Sequence, residues 1–370
     1  MRSLAAVLIG GLLVPSAECR TQEQTWSTSA KPSLIVRSEN NAGEVLFGPV
    51  TGTARLRNGD LAVASDVALT FFDAKGRVLR EIGRKGSGPG EYEQIAWMGQ
   101  CAPDTLVIHD LRQNRLTLLD ATGRVLKTIY LRGFPMVRSC GPMASFVFVD
   151  RMEARGTGGG VPAIARAWVV KLDLRTEKYI DVAQLPAFEN TAMGQNIIPV
   201  PLGAMITLAA TPTRLWIGAA GSADVVAYSV DGERGGSVTI ALERRVPMQA
   251  NIDAALDERV RFAPGAVGKA YRRQLAALGV PRELPVFSGI IGAGSGALWV
   301  QTSFPGDART KWEIYDMSGR RLKSVEFPRD LRVHEVGEEY LTGVLTASNG
   351  TEEVVVIPVS PSPRPGKTVP

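Results

Sequence analysis

A glycine-rich stretch with charged residues, GRKGSGPGEYEQ from Gly83 to Gln94, is the segment of this sequence that most resembles a binding loop. Glycine-rich loops cradle phosphates when a helix begins directly after them, because the helix N-terminus offers N–H donors. No Lys-Ser or Lys-Thr pair completes a G-x-x-x-x-G frame here, and no helical pattern follows Gly90. The stretch is better explained as a tight passage between strands with Tyr92 as an anchor, the alternative being a surface site.

Metal-ion and nucleophile chemistry have little support in the sequence. The two histidines, His109 and His334, are too few for a histidine-rich metal centre, and His109 ends an apolar strand, which favours a structural role. A calcium site of carboxylate and carbonyl oxygens stays open in principle but has no support in the sequence. No G-x-S-x-G nucleophile elbow occurs. We therefore predict no catalytic residue, no metal ligand and no cofactor.

A repeat in the turns indicates how these residues are held. FFDAKGRVLREI (71–82), LLDATGRVLKTI (118–129) and IYDMSGRRLKSV (314–325) share an apolar strand end, Asp, two linking residues, Gly, a cation and a second apolar strand. An Asp that starts a tight turn and a Gly that supplies positive φ are typical of β-hairpins. Looser copies surround Asp173 and Asp231.

A second element recurs upstream of each turn, a short strand rich in β-branched and aromatic residues. Six copies, each preceded by another apolar stretch, predict six units of up to four strands. Two of the spacings match a propeller blade. The copies are LAVAS from Leu61, TLVIHD from Thr105, SFVFVD from Ser145, LWIGA from Leu215, LWVQT from Leu298 and YLTGVLT from Tyr340.

The fold class that follows is an all-β, six-bladed β-propeller over residues 32–360. The last unit offers only three strands, and PSLIVRSEN (32–40) precedes the first unit as a donor for the fourth. Closing the ring with this N-terminal strand removes the two edges of an open array. Trp216 and Trp299 occupy equivalent repeat positions and are predicted to be core residues.

These residues resemble those of the bacterial secreted six-bladed propellers related to NHL-repeat propellers. The resemblance rests on the Gly83–Gln94 loop and on an NHL-like unit, in which Asp110, Asn114, Arg115 and Gly123 match the pattern. Blades one and two match well, whereas blades three to six depart in loop length. The resemblance implies a fold and says little about function.

Long connections predict which face of the ring is functional. The turns between strands one and two and between strands three and four are minimal hairpins, so elaboration concentrates on the opposite face. Because long loops on a rigid scaffold usually carry binding, we expect a ligand or partner to approach that face. Its segments are the Gly83–Gln94 loop, 109–115, 153–165, 187–199, 303–310 and an insertion over about 243–284.

The insertion between blades four and five is the one predicted helical part. Ile252, Leu256 and Val260 recur at four-residue spacing after Asn251 as N-cap, and Pro264 ends that helix. A second apolar stripe follows and closes before Gly279 and Pro281. The helices are expected to cap the channel mouth, the alternative being a site for an acidic ligand at Lys269, Arg272 and Arg273.

The ends of the chain predict export. Residues 1–19 have a charged start and an apolar run of about eleven residues, typical of a signal peptide and too short to span a membrane. Cleavage after Cys19 fits better than lipid attachment to it, because Glu18 stands where a small residue is required. Residues 361–370 are predicted to form a disordered proline-rich tail.

The formal net charge of +5 is spread along the chain, which gives no support to nucleic-acid binding.

Two further cysteines, Cys101 and Cys140, are predicted near the ends of neighbouring inner strands. Such strands are expected to lie too far apart for a disulfide, so buried thiols are the default and a disulfide is the alternative.

The function predicted from sequence is that of a secreted or periplasmic, monomeric binding or scaffold protein for an unknown protein or small molecule, without a membrane span. The alternative is a metal-dependent hydrolase or lyase with its site in the channel. Fold alone does not choose between them. The binding candidates are Arg84, Lys85, Glu91, Tyr92, Asp110, Arg112, Asn114, Lys269, Arg272 and Asp307.

Overall fold

The chain folds into six antiparallel sheets arranged as a six-bladed β-propeller. A computed structural model describes residues 31–39, 43–135, 137–141, 145–153, 163–193, 196–261, 263, 265–329, 331–347 and 350–359. The predicted signal peptide and C-terminal tail lie outside these residues. Among them, no helix is both long and apolar enough to cross a membrane.

The first three blades follow one another along the chain. The N-terminal strand β1 (Leu34–Arg37) precedes blade 1, whose four strands follow in chain order from the inner to the outer edge of the sheet. Its strands are β2 (Val50–Arg55), β3 (Leu61–Ser65), β4 (Ala68–Phe72) and β5 (Val78–Ile82). Blade 2 contains β6 (Ile95–Ala102), β7 (Thr105–Asp110), β8 (Arg115–Leu119) and β9 (Val125–Tyr130). Blade 3 contains β10 (Arg138–Gly141), β11 (Ser145–Glu153), β12 (Ala163–Asp173), β13 (Tyr179–Met193) and β14 (Asn196–Pro199).

The last three blades enclose the helices and complete the ring. Blade 4 contains β15 (Thr207–Ala210), β16 (Leu215–Gly218), β17 (Asp224–Tyr228) and β18 (Arg234–Thr239). Helices α1 (Gln249–Val260) and α2 (Gly265–Ala276) follow. Blade 5 contains β19 (Gly289–Gly292), β20 (Leu298–Gln301), β21 (Arg309–Tyr315) and β22 (Arg321–Pro328). Blade 6 contains β23 (Leu331–Val336), β24 (Tyr340–Thr346) and β25 (Glu352–Pro358) with β1 as its outer strand.

The N-terminal strand β1 completes blade 6. It pairs antiparallel with β25 in the register Leu34↔Val356 to Arg37↔Glu353. Six hydrophobic clusters then lie one between each pair of neighbouring blades, and Trp216 and Trp299 are buried in two of them. All six strands recognised from their β-branched and aromatic residues are the second strands of their blades.

The Asp-x-x-Gly turns form the predicted hairpins between third and fourth strands. In the first, the Asp73 carboxylate accepts the N–H groups of Lys75 and Arg77, and Gly76 has φ +82°. The copies at Asp120 and Asp316 repeat these contacts. In the blade-4 copy Ser229, and not Asp231, takes the place of the aspartate, because its hydroxyl accepts the equivalent N–H groups.

Blade 3 departs from the sequence prediction. Residues 187–193 and 196–199, expected to form a loop, belong to β13 and to a fifth strand, β14, that pairs with it. The strand continues because each residue from Asn190 onward finds a backbone partner in the returning segment. This blade therefore has five strands where the other blades have four.

The inner strands of neighbouring blades approach one another closely at glycines. A Cβ atom on Gly52 of β2 would lie 2.6 Å from the carbonyl oxygen of Met98 in β6. A Cβ atom on Gly292 of β19 would overlap the carbonyl group of Ala210 in β15. Only glycine permits this approach of two backbones.

Replacing Gly292 by alanine is therefore expected to lower the free energy of unfolding by about 1–3 kcal/mol, because the inner strands must separate. Chemical denaturation checks this. Gly48→Ala is the matched control, since a Cβ there meets no atom within 4 Å, and its effect should stay within about 1 kcal/mol. Equal stability of Gly292→Ala and wild type would contradict the proposed close packing.

The inner strands of blades 2 and 3 also place Cys101 and Cys140 together. Their Cα atoms are 4.9 Å apart and their sulfur atoms lie within bonding distance. The expectation that these strands would be too far apart was wrong for this pair, because the inner strands β6 and β10 bring the two Cα atoms within the range of a disulfide. The arrangement is that of a disulfide that links two blades.

Replacing both cysteines by serine should lower the free energy of unfolding by about 2–4 kcal/mol, because the crosslink restricts the unfolded chain. Denaturation of the wild type with and without reductant should give the same difference. Peptide mapping of the unreduced protein after alkylation in denaturant provides the direct check: alkylated Cys101 and Cys140 would show that the pair is not oxidised.

Candidate functional site

A cavity of about 900 Å³ runs along the axis of the ring and is lined by the inner strands of all six blades. It reaches the turns between first and second strands, where Arg57, Pro103, Glu338 and Glu339 line its end. We call the side of the ring that carries these turns the hairpin face. The side that carries the blade-to-blade crossovers is the crossover face.

The two walls of this channel differ in chemistry. Blades 4 and 5 contribute an apolar wall that includes Leu208, Ala210, Ile290, Ile291 and Ala293. Blades 6, 1 and 2 contribute a polar wall that includes Glu335, Tyr340, Arg55 and Gln100. Ligand sites are commonly built in this way, with apolar surface for contact area and a few polar groups for orientation.

A β-bulge shapes the polar wall. In the pairing of β23 with β24, Val333 lies opposite Gly343 and Glu335 lies opposite Thr342, so that His334 is the extra residue. A bulge interrupts the strict alternation of side chains and can re-aim one of them. Here His334 and its neighbour Glu335 both line the channel.

Glu335 is the central acid of the polar wall. Its carboxylate accepts the backbone N–H of Arg55 at 2.8 Å and the side-chain amide of Gln100 at 2.9 Å. Burial, the largest influence, raises the pKa of Glu335 to about 7, although these hydrogen bonds act in the opposite direction. Gln100 is oriented in turn, since its carbonyl oxygen accepts the N–H of Asp104. A carboxyl that titrates near neutrality in a cavity is a common feature of functional sites.

Arg55 lies beside this carboxyl at the end of β2. Its guanidinium lies over the ring of Tyr340, 4.9 Å from the ring centroid. Its backbone carbonyl accepts hydrogen bonds from the Tyr340 hydroxyl at 3.3 Å and from Gln100 at 3.2 Å. The backbone of Arg55 therefore belongs to the wall, whereas its side chain is half-buried at the channel surface.

His334 is neutral at physiological pH. Burial, helped by the nearby charges of Arg332 and Arg261, lowers the pKa of His334 to about 3. His109, the other histidine, is fully buried in blade 2, and burial lowers its pKa to about 3 as well. Among the described residues, no three His, Cys, Asp or Glu side chains converge as metal ligands would.

The helical insertion contacts several blades on the crossover face. Asn251 of α1 donates to the carbonyl of Pro305 and to Asp307 in blade 5, and Arg259 donates to the carbonyl of Pro199 in blade 3. After α1, Arg261 lies 3.7 Å from Glu352 of blade 6. These contacts reach three blades, so the helical pair bridges the ring on this side.

A buried ion cluster lies beneath the helices. Glu352 accepts the backbone N–H of Val50 at 2.6 Å and pairs with Arg332 as well as with Arg261. A buried carboxylate of this kind is stabilised by its cations and its hydrogen bonds together. The cluster joins blades 1 and 6 to the insertion.

The start of α1 differs from its prediction. The helix begins at Gln249, and Met248 is the N-cap. Asn251, predicted as the N-cap, lies three residues further on, where its side-chain oxygen accepts the N–H of Met248 and its amide binds Asp307. Asp307 also pairs with Arg245 and accepts the N–H of Phe304, so this predicted binding residue fastens the insertion to blade 5.

The Gly83–Gln94 loop is the crossover from blade 1 to blade 2, as predicted, and its polar groups are largely satisfied within the protein. Buried Arg115 donates to the carbonyls of Ser87, Gly88 and Glu91. Asp110 accepts the N–H groups of Glu93 and Gln94.

Most other predicted binding residues also make internal contacts. Arg84 pairs with Glu91 at 2.6 Å, and Tyr92 is buried between blades 1 and 2. Asn114 donates to the carbonyls of Leu131 and Gly133, and Arg272 joins α2 to Asp253 and Asp257 of α1.

None of the ten predicted residues lines the channel. Arg112 and Lys269 are exposed, and the backbone of Lys85 forms an isolated parallel β-bridge with that of Tyr92. The cavity opens on the hairpin face, so this candidate site differs from the one predicted on the long-loop face, which stays a prediction. Sequence reasoning missed Arg55, Gln100, Glu335 and Tyr340. The sequence could have pointed to them only by position, because each lies near the end of an inner strand or directly after the turn between the first and second strands of its blade.

No protein-family model and no curated protein matches the chain in sequence. Among solved structures, a member of the DUF4221 family from Bacteroides vulgatus ATCC 8482 is similar with a TM-score of 0.51 at 8% identity, over 90% of this chain and 98% of that chain. A candidate exported protein from Bacteroides fragilis NCTC 9343 gives 0.48 at 12% identity, over 91% and 98%. A streptogramin B lyase gives 0.41 at 10% identity, over 88% and 98%. The first similarity concerns the fold alone, and the other two are too low to carry an argument.

The raised pKa of Glu335 predicts a pH dependence of stability. Between about pH 4.5 and 7 the folded protein retains a proton that the unfolded chain releases, so stability should fall as pH rises through this window, by on the order of 3 kcal/mol. Glu335→Gln should remove this slope, measured by denaturation at several pH values. The matched control Glu338→Gln changes an exposed carboxyl at the same end of the channel. An unchanged slope in Glu335→Gln would refute the assignment.

Proposed function

We propose that this protein is a secreted or periplasmic binding protein of the NHL-like propeller type, which admits a small molecule to its central channel from the hairpin face. The observation that supports this most is the channel itself. Its volume of about 900 Å³ falls in the range of small-molecule sites, about 300–1,000 Å³.

The asymmetry of the channel supports entry from one side. On the crossover face we expect the helical pair and the ion cluster of Glu352, Arg332 and Arg261 to restrict the ring opening, since they connect blades 3, 5 and 6. On the hairpin face, exposed Arg57, Glu338 and Glu339 surround the cavity end. A ligand that enters there meets Arg55, Gln100 and Glu335 first. The crossover face remains available to a protein partner, the other form of the binding hypothesis.

The compartment is proposed from the sequence. Residues 1–19 have the pattern of a signal peptide, and the juxtaposed Cys101 and Cys140 suit an oxidising environment. We also propose a monomer, because the N-terminal strand completes the last blade and the ring needs no strand from a second chain.

A second candidate is a hydrolase or lyase with its site in the channel. One observation favours it: the carboxyl of Glu335 titrates near neutrality, where a general acid or base is most effective. In such a reaction Glu335 would transfer the proton and Arg55 would stabilise negative charge.

A thermal-shift screen of small metabolites tests the binding function. Ser139 is half-buried in the channel wall, so Ser139→Trp should fill part of the cavity and abolish stabilisation by any ligand of the wild type. The matched control, Gln274→Trp, places the same side chain on exposed α2 and should respond like the wild type.

Compounds that stabilise all three proteins equally, or no stabilising compound at all, would overturn channel binding. Lactone or ester turnover that disappears in Glu335→Gln would instead select the enzyme. The same preparations serve for both measurements, and bound metal is measured on them before the screen.

A further inference from the structure

The arginines around the channel differ in how their guanidinium groups are used. Arg138 donates to the carbonyls of Pro135 and Ala96, and Arg332 pairs with Glu352. At the channel end, Arg57 lies 3.9 Å from Asp104. Each of these cations thus has an acceptor in the protein.

Arg55 is different. Its guanidinium lies 4.9 Å from the centroid of the Tyr340 ring, and within the described part of the chain it forms no side-chain hydrogen bond or close ion pair, although it attracts the Glu335 carboxyl electrostatically. The contact with the ring restrains the guanidinium, and Arg55 is one of the residues that line the channel. A guanidinium held in this way is preorganised for a planar, two-oxygen anion.

The apolar wall lies across the channel from this cation. The side chains of Leu208, Ile290 and Ile291 offer a ligand apolar contact and no hydrogen-bond partner. A molecule that uses both walls must therefore combine an anionic group with an apolar body.

Glu335 is compatible with an anion nearby. A carboxylate there would repel a second negative charge, but burial raises the pKa of Glu335 to about 7 against the opposing effect of Arg55, so that about half of the molecules carry it neutral at pH 7. Arg55 thus remains the main fixed charge on this part of the polar wall.

We propose that the channel ligand is an amphipathic carboxylate, whose two oxygens accept hydrogen bonds from the guanidinium of Arg55 and whose apolar body lies along blades 4 and 5. This inference rests on the proposed channel-binding function and specifies its ligand class. A carboxylate is favoured over a phosphate dianion because one guanidinium supplies one charge and matches the planar carboxylate.

The experiment compares three probes of equal chain length, octanoate, octanol and octylamine, by isothermal titration calorimetry at pH 7. Octanoate should bind at least about tenfold more tightly than octanol, in line with a charge-assisted pair of hydrogen bonds, and octylamine should bind least. Arg55→Gln should reduce octanoate affinity to that of octanol. Arg55→Lys, which keeps the charge but loses the planar fork, should give an intermediate affinity.

Arg234→Gln is the matched control, because it removes one positive charge from an exposed site on the outer strand of blade 4. It should bind octanoate like the wild type, which separates a local contact from the effect of net charge. Arg55→Gln should fold normally, since the hydrogen bonds of residue 55 to Glu335, Gln100 and Tyr340 involve its backbone. If it does not fold, the Arg55→Lys comparison decides.

Octanoate affinity unaffected by Arg55→Gln, or octylamine binding more tightly than octanoate, would overturn the carboxylate assignment. If the wild type then still bound octanol and Ser139→Trp did not, the channel-binding function would remain supported although the carboxylate assignment had failed. Failure of all three probes would overturn the assignment as well, and the metabolite screen would then decide separately whether the channel binds any small molecule.

Discussion

Ring closure is the constraint on which the remainder of the structure depends. Among the described residues, the hydrophobic clusters lie between neighbouring blades, so each sheet is stabilised by a neighbour on both sides. The four-residue strand β1 supplies the outer strand of blade 6, and Val36 contributes to the cluster shared with blade 1. The first and last strands of the ring are thereby joined, and the edges of an open array are removed.

Closure also explains why the channel exists and why its wall is polar in part. Six inner strands around one axis approach closely where glycines allow, at Gly52 and Gly292, but side chains elsewhere keep the ring open. Polar groups that face the axis must then find partners along the wall. Glu335 does so with the backbone of Arg55 and the amide of Gln100, which fastens blade 6 to blades 1 and 2. The interactions that complete the ring are thus the same ones that give the channel its chemistry.

The fold was accessible from sequence because its determinants are local. An Asp-x-x-Gly turn works through hydrogen bonds within five residues, and the β-branched second strands are buried whatever their neighbours are. The site was not accessible in this way. Arg55 and Glu335 are 280 residues apart in sequence and meet only because the ring closes, and the bulge at His334 has no signature in the residues themselves. The extra strand β14 and the close approach of Cys101 to Cys140 depend likewise on contacts between distant segments.

The described parts of the long loops are largely engaged in internal contacts. Loops on a rigid scaffold usually carry binding residues because their side chains are not needed for packing the core. In this protein several loop residues make such structural contacts. Arg115 and Asp110 hydrogen-bond to the glycine-rich crossover, and Asn251 and Asp307 connect the insertion to blade 5. The insertion and the cluster around Glu352 lie on the crossover face, whereas short turns line the end of the cavity on the hairpin face. The side chains that can meet a ligand there belong to strand ends, whose positions the ring fixes more rigidly than a long loop could.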